Sequence, residues 1–247
     1  MALALPVPAV AQGGEGSGLA QVMTFKVEPD DYFTFQAAVE KIAQAAQEAN
    51  LSRDYAWLFW SDMLNFTLVY PVKSMAYFDD PDQWVRQFQG TDGEKTLNEA
   101  FQAMMSIDDR IVSNEVIEHV RESSYPAPDG VQQLAWAEVG EYWIKSGKEE
   151  EFDALTGEFL AFLKRIGYRY EISANRVRLG DVGRRLFVTF YDDRSNFFGP
   201  NSIESLMAEK GGAEEWQDIV TRFMDLITDA KVTHLAYRPE MSYWPMP

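Results

Sequence analysis

The sequence predicts an α+β fold in which a β-α-β-β-α-β unit occurs twice in tandem. Three observations predict it. First, the passage Phe66 to Asp79 (F-T-L-V-Y-P-V-K-S-M-A-Y-F-D) is echoed by Phe187 to Gly199 (F-V-T-F-Y-D-D-R-S-N-F-F-G). A slide of 120 residues sets Tyr70 on Phe190, Lys73 on Asp193, Tyr77 on Phe197 and Phe78 on Phe198. Second, the first helical stripe of each half aligns, with Phe35 against Phe152 and Asn50 against Gly167 (152 − 35 = 167 − 50 = 117). Asn and Gly both tolerate the left-handed conformation that ends a helix, so the match is physical as well as arithmetical. Third, the halves end alike, R-E-S-S-Y-P from Arg121 and R-P-E-M-S-Y-W-P from Arg238.

Taken in order, Gln21 to Val27 alternates apolar and polar residues and reads as a strand. The stripe Phe35, Val39, Ile42, Ala46, Ala49 predicts a helix over Asp31 to Ala49, with Asp30 and Asp31 at the positive end of its dipole. Tyr55 to Trp60 and Phe66 to Tyr70 are nearly apolar on both faces, as strands covered on both sides are. A helical region from Asp79 breaks at Gly90 to Gly93 and resumes from Glu94 to Ile107; Val116 to Arg121 is the closing strand. The second half repeats the order. Gln133 to Ile144 is a strand, and Ser146 with Glu149 has capping-box spacing before a helix ending at Gly167. Tyr168 to Ala174 and Arg185 to Tyr191 form a hairpin about three residues longer than the first. Helices over Pro200 to Lys210 and Ala213 to Thr228 follow, and a last strand runs from Lys231 to Tyr237. The expected organisation is an N-terminal segment 1–20, a first repeat 21–125, a Pro/Gly linker 126–131 and a second repeat 132–247.

Composition narrows the function classes. A net charge of −17 argues against a nucleic-acid partner, which needs a clustered positive surface. The chain has no cysteine, which excludes disulfides, thiolate nucleophiles and Cys-ligated metals. Ala2 to Ala11 is an apolar run ending A-V-A before Gln12, which fits a signal-peptidase site, although no Lys or Arg precedes it. A periplasmic or extracellular location is the expectation, with a cytoplasmic protein bearing a disordered tail as the alternative. No later segment has the length of a membrane span.

Two such repeats in one chain resemble the dimeric α/β barrel superfamily in tandem form, with two ferredoxin-like repeats packed sheet to sheet. The resemblance spans about Gln21 to Tyr243 as a pattern and includes no family-specific catalytic motif. It implies a pseudo-dimeric barrel, with antibiotic-biosynthesis-monooxygenase-like proteins, haem proteins and pure binding proteins among its relatives. Fold therefore leaves the chemistry open.

The residues supply candidates. The two histidines, His119 and His234, each fall in the last strand of a half and are the candidate catalytic residues; His234 is also the candidate axial ligand if haem is bound. No other cofactor is expected. The acidic groups Asp79–Asp80–Asp82, Asp108–Asp109 and Asp192–Asp193 lack metal-loop spacing and read as caps and turns, so no metal site is expected. Phosphate-loop, dinucleotide and nucleophile-elbow motifs are absent. Tyr168, Tyr170, Phe187, Tyr191 and Trp57 are the candidate lining of a pocket for a small hydrophobic or aromatic ligand. From Lys164 to Arg194 eight basic residues face only Glu171, Asp181, Asp192 and Asp193, a local +4 (8 − 4). Arg176, Arg178, Arg184 and Arg185 there are candidates for anion or protein-partner binding, against the plainer reading of a charged hairpin edge. The leading expectation is a small-molecule-binding barrel, monomeric or homodimeric. Alternatives are a cofactor-independent monooxygenase, a haem-binding barrel and an interaction module.

Overall fold

A computed structural model describes residues 18–80, 82–107, 109–128 and 134–245. The signal-like run Ala2 to Ala11 and linker residues 129–131 lie outside the described residues, as does Asp108. The strands are β1 (Leu19–Val27), β2 (Leu58–Asp62), β3 (Asn65–Val72), β4 (Asp109–His119), β5 (Trp136–Ile144), β6 (Ile172–Leu179), β7 (Arg184–Tyr191) and β8 (Ile227–Tyr237). The helices are α1 (Tyr32–Glu48), α2 (Gln83–Arg86), α3 (Gly93–Met104), α4 (Glu149–Ile166), α5 (Ile203–Lys210) and α6 (Ala213–Leu226). The strands join in the order β1-β3-β2-β8-β5-β7-β6-β4, a closed barrel. This is the predicted α+β architecture of repeated β-α-β-β units. β6 pairs on both sides, so the arginine-rich hairpin is not an edge.

The chain divides into two compact units, Gly14–Ile117 with Ala236–Pro247 and Glu118–Leu235. In the first, α1 and α3 cover a core of Phe25, Phe35, Phe59, Phe66, Phe88 and Leu97. In the second, α4 and α6 cover Phe152, Phe162, Leu163, Ile166, Tyr191 and Ile219. Helix ends follow local chemistry. Asn50 (φ 50°) and Gly167 (φ 68°) take the left-handed conformation expected of them. The Ser146 capping box does not form, because Gly147 turns the chain at φ 80° and the cap falls on Lys148.

The closing segments change places. The tail of the second half returns to the first unit, where Trp57 pairs with Tyr243, Trp57 Nε1 donates to Met241 O (2.9 Å) and Phe59 N donates to Ser242 Oγ (2.8 Å). The segment closing the first half lies in the second unit, where Tyr125 pairs with Ile172, Ala174 N donates to Ser124 Oγ (2.9 Å) and Tyr125 OH donates to Tyr168 O (2.7 Å).

These bonds fix how the halves correspond. Arg238 N donates to Phe59 O and Val120 N to Ala174 O, so β6 follows β2 by 174 − 59 = 115, and β8 follows β4 by 238 − 120 = 118. Leu19 faces Val72 and Trp136 faces Tyr191, so β5 follows β1 by 136 − 19 = 117 and β7 follows β3 by 191 − 72 = 119. The slide of 120 is thus one residue off within the strands. Side chains alternate between faces, so one residue puts buried Tyr70 on Phe190 of the opposite face; its true counterpart is Thr189. The match of Arg121 with Arg238 shifts likewise, since Val120 corresponds to Arg238 and His119 to Tyr237.

Candidate functional site

On the second unit's sheet the rungs Trp136–Tyr191, Glu138–Thr189–Ile172 and Gly140–Phe187–Ala174 follow from the register of β5, β7 and β6. Alternation turns these side chains toward the helices. Tyr168 and Tyr170 arrive on the segment between α4 and β6, and Phe197 on a single 3-10 turn, Arg194–Phe197, after β7. That turn is set by Asp193, whose carboxylate accepts from Ser195 N (2.7 Å). Asp192 accepts from Asn196 (2.6 Å), so this acidic pair is structural, as expected.

The aromatic rings form a continuous series. Tyr168 meets Tyr170 at 5.7 Å, Tyr170 meets Tyr191 at 4.6 Å and Tyr191 meets Phe197 at 4.4 Å between centroids. Phe197 then meets His234 edge to face at 4.3 Å. The hydroxyls of Tyr168 and Tyr191 lie 3.2 Å apart, buried. His234 Nε2 stands 3.8 Å from Glu138 Oε2, and both side chains are about one-third exposed (35% and 36%). A buried tyrosine pair therefore shares a face with an acid–imidazole pair that solvent reaches.

The local field favours protonated groups. Burial raises the Glu138 carboxyl above its ordinary range; the His234 imidazole opposes this and Glu204 adds to it. Burial is also the first cause that pushes the phenols of Tyr168, Tyr191 and Tyr142 up, so all three remain hydrogen-bond donors at neutral pH. The Tyr142 ring folds back over Gly140. A Cβ at Gly140 would lie 2.9 Å from the Tyr142 hydroxyl, so glycine there gives the ring its place.

The predicted residues separate into groups. Tyr168, Tyr170, Tyr191 and His234 come together. Phe187 lies beside them, against Tyr142 (5.8 Å) and Phe152 of α4 (6.2 Å). Trp57 belongs to the first unit's core, with its ring nitrogen bonded to the tail. His119 faces away from the helices, its Nδ1 3.1 Å from Ser173 Oγ; burial and then Arg121 hold its pKa below the ordinary histidine value. Arg176 bonds Glu118 (2.7 Å) and Arg178 engages the same carboxylate. Arg184 donates to Glu141 (2.6 Å), and Arg185 lies 3.9 Å from Asp153. All four arginines thus meet carboxylates of this chain, and Arg176 first, then Arg178, holds Glu118 below the usual carboxylate range.

Glu138 and Tyr142 were missed by sequence reasoning. The available signal was the alternation Trp136, Glu138, Gly140, Tyr142, Ile144, which places an acid on an otherwise apolar stripe. The first unit has Gln21 and Val116 at the positions of Glu138 (138 − 117) and His234 (234 − 118), so the ionisable pair belongs to the second sheet alone. Among the described residues no group of three His, Asp or Glu side chains is placed to hold a metal ion. No described helix is long and apolar enough to cross a membrane.

No protein-family model matches the chain, and no curated protein matches it in sequence. Solved structures match in fold. A candidate monooxygenase from Fusobacterium nucleatum aligns over 89% of this chain and 91% of its own, at 12% identity and a TM-score of 0.59. A candidate monooxygenase from Lactobacillus acidophilus aligns over 92% and 95%, at 9% identity and a TM-score of 0.52. An anthrone oxidase-like protein aligns over 89% and 91%, at 11% identity and a TM-score of 0.50. At such identities the likeness is one of fold, and in fold this chain resembles the ferredoxin-like barrels of monooxygenase-like proteins.

Proposed function

We propose that the second unit binds a small aromatic molecule on the face formed by Tyr168, Tyr191, Phe197, Glu138 and His234. The observation that carries this reading is the acid–imidazole pair at 3.8 Å reached from an aromatic cluster whose two phenols meet at 3.2 Å. Rings supply stacking area, and the few polar groups orient a hydroxyl or carbonyl. Saturable quenching of tryptophan fluorescence by anthrone, weakened in Tyr191→Ala and unchanged in Trp57→Phe, is the expected result. Equal quenching in Tyr191→Ala overturns the reading.

The same pair favours a second reading, cofactor-independent monooxygenation of an aromatic substrate. Glu138, assisted by His234, would take a proton from an acidic CH2 group of the substrate. The carbanion would add dioxygen to give a hydroperoxide, whose O–O bond breaks with loss of water to leave one oxygen on that carbon as a carbonyl. The fold likeness to candidate monooxygenases and to an anthrone oxidase-like protein supports it. Oxygen uptake with anthrone that falls in Glu138→Gln is the expected outcome; uptake indifferent to that change refutes it. Haem ligation by His234 fits poorly, because Nε2 already faces the Glu138 carboxylate and Phe197 covers the ring. An exported location remains part of the proposal, resting on the Ala2 to Ala11 pattern.

A further inference from the structure

Of the basic residues between Lys164 and Arg194, Arg176, Arg178, Arg184 and Arg185 meet carboxylates, and Arg165 pairs with Glu215. Arg194 does not. Its guanidinium carbon lies 5.2 Å from the centroid of the Trp136 ring, and among the described residues its side chain has no ion pair and donates no hydrogen bond. The acids next to it in sequence are engaged within their own turn, Asp193 by Ser195 N (2.7 Å) and Asp192 by Asn196 (2.6 Å). A guanidinium over a ring is held by its face, and the planar fork of N–H donors stays free at its edge.

Local structure puts that fork at one end of the aromatic face. Trp136 opposes Tyr191 on the last rung of the β5–β7 ladder, where Ala135 N donates to Tyr191 O (3.0 Å). Trp136 and Glu138 are alternate residues of β5, so they share the helix-facing side, roughly 6–7 Å apart along the strand. After β7 ends at Tyr191, the turn Arg194–Phe197 carries Arg194 onto Trp136 and sets Phe197 against Tyr191 (4.4 Å) and His234 (4.3 Å). One short turn therefore places a cation at one end of the face and a ring beside the imidazole at the other. Arg169 adds a second guanidinium, 5.6 Å from the Tyr170 ring, but Asp192 and Asp193 oppose its charge there.

The fold alone does not ask for this pair. The offset of 117 sets Leu19 at the position of Trp136 (136 − 117). Ser74 and Asp193 open the matching turns after β3 and β7, and 193 − 74 = 119 is the offset of those strands, so Met75 stands where the second unit has Arg194. Leu19 and Met75 can pack, but they offer an anion nothing. Ring, cation, acid and imidazole are thus confined to the second unit, with Leu19, Met75, Gln21 and Val116 in their places.

We infer that Arg194 receives a carboxylate, so that the ligand of the aromatic face is the anion of an aromatic carboxylic acid, lying with its carboxylate at Arg194 and its ring over Tyr191 toward Glu138 and His234. The inference rests on the aromatic face proposed above and adds the charge and direction of its ligand. The reverse direction would set the carboxylate against the Glu138 carboxyl and leave the fork empty. A neutral ring system fills the same area but gives Arg194 no charge to bind, and a cationic one meets a like charge.

The test measures binding of naphthoate, and of its uncharged near-isostere naphthamide, to the full chain by isothermal titration calorimetry at neutral pH. Naphthoate is expected to bind about tenfold more tightly, because its carboxylate makes charge-assisted bonds that the amide does not. Arg194→Gln should erase that preference, weakening naphthoate about tenfold while naphthamide stays within about twofold. Arg165→Gln removes the same charge from a guanidinium already paired with Glu215 and should leave the preference in place. Tyr191→Ala should weaken both ligands alike. Equal binding of the two ligands, a preference that survives Arg194→Gln, or one lost equally in Arg165→Gln overturns the carboxylate assignment and leaves the aromatic face standing. Indifference of both ligands to Tyr191→Ala, or binding of neither, overturns the face and the assignment with it.

Discussion

Gly93 and Gly157 make a matched pair of glycines with opposite expected responses to alanine. Gly93 opens α3 against α1, and a Cβ there would lie 2.1 Å from Ala45 O and 3.1 Å from the Ala49 Cβ. The first distance is about 1.4 Å short of an optimal carbon contact of ~3.5 Å. The obstacle is backbone of a helix whose Ala45 and Ala46 are wholly buried, so it has no rotamer with which to yield. Relief requires the two helices to part, at about 1–3 kcal/mol. Gly157 lies exposed within α4 and a Cβ there would meet nothing within 4 Å. Alanine there removes the backbone-entropy penalty of glycine and stabilises by about 1 kcal/mol. The two variants should therefore differ by ~2–4 kcal/mol, or roughly 5–15 °C in melting temperature for a chain of this size. Thermal melts by circular dichroism read this directly. Should Gly93→Ala melt at or above the parent protein, the close approach of α1 and α3 is not as described.

Other outcomes follow from the same geometry. Met241 is fully buried against the first unit, so Met241→Ala should destabilise by about 2–5 kcal/mol in urea unfolding. Tyr125→Phe and Tyr243→Phe each remove a hydroxyl donor to a backbone carbonyl, of Tyr168 and Leu51 respectively, and should destabilise by similar amounts of about 1–2 kcal/mol. Glu171 is protonated longer in the folded chain than in the unfolded one, since its pKa rises from 4.5 to about 7. Between those values the folded state holds more protons, so stability falls as pH rises, by about 3 kcal/mol in all, and levels off above the folded value. Glu171→Gln should remove that slope between pH 5 and pH 8 in urea midpoints, and an unchanged slope would assign it elsewhere.

The repeat, its helices and its order of strands were legible because hydrophobic periodicity and cap residues are local properties of the chain. Register was not. The offset runs 117, 115, 119 and 118 through the four strand pairs, since the segment after the first helix is two residues shorter in the second half and its hairpin four longer. A single slide of 120 hid these compensating changes. The tyrosines and His234 were legible as aromatic and imidazole candidates, whereas Glu138 differs from Glu141 three residues on only by the face it takes. Arginine pairing with Glu118, Glu141 and Asp153 joins residues up to 60 positions apart, which composition cannot reveal.

The crossing of the closing segments has a consequence for synthesis. The strand end and tail that complete the first unit, Ala236 onward, are made only after the whole of the second unit. Domains made first usually fold first, but here the earlier unit waits with the surface around Trp57 and Phe59 uncovered until Met241 and Ser242 have been made. A stop codon at Ala236, which touches nothing in the second unit's aromatic face, would therefore damage the half of the protein that was made first.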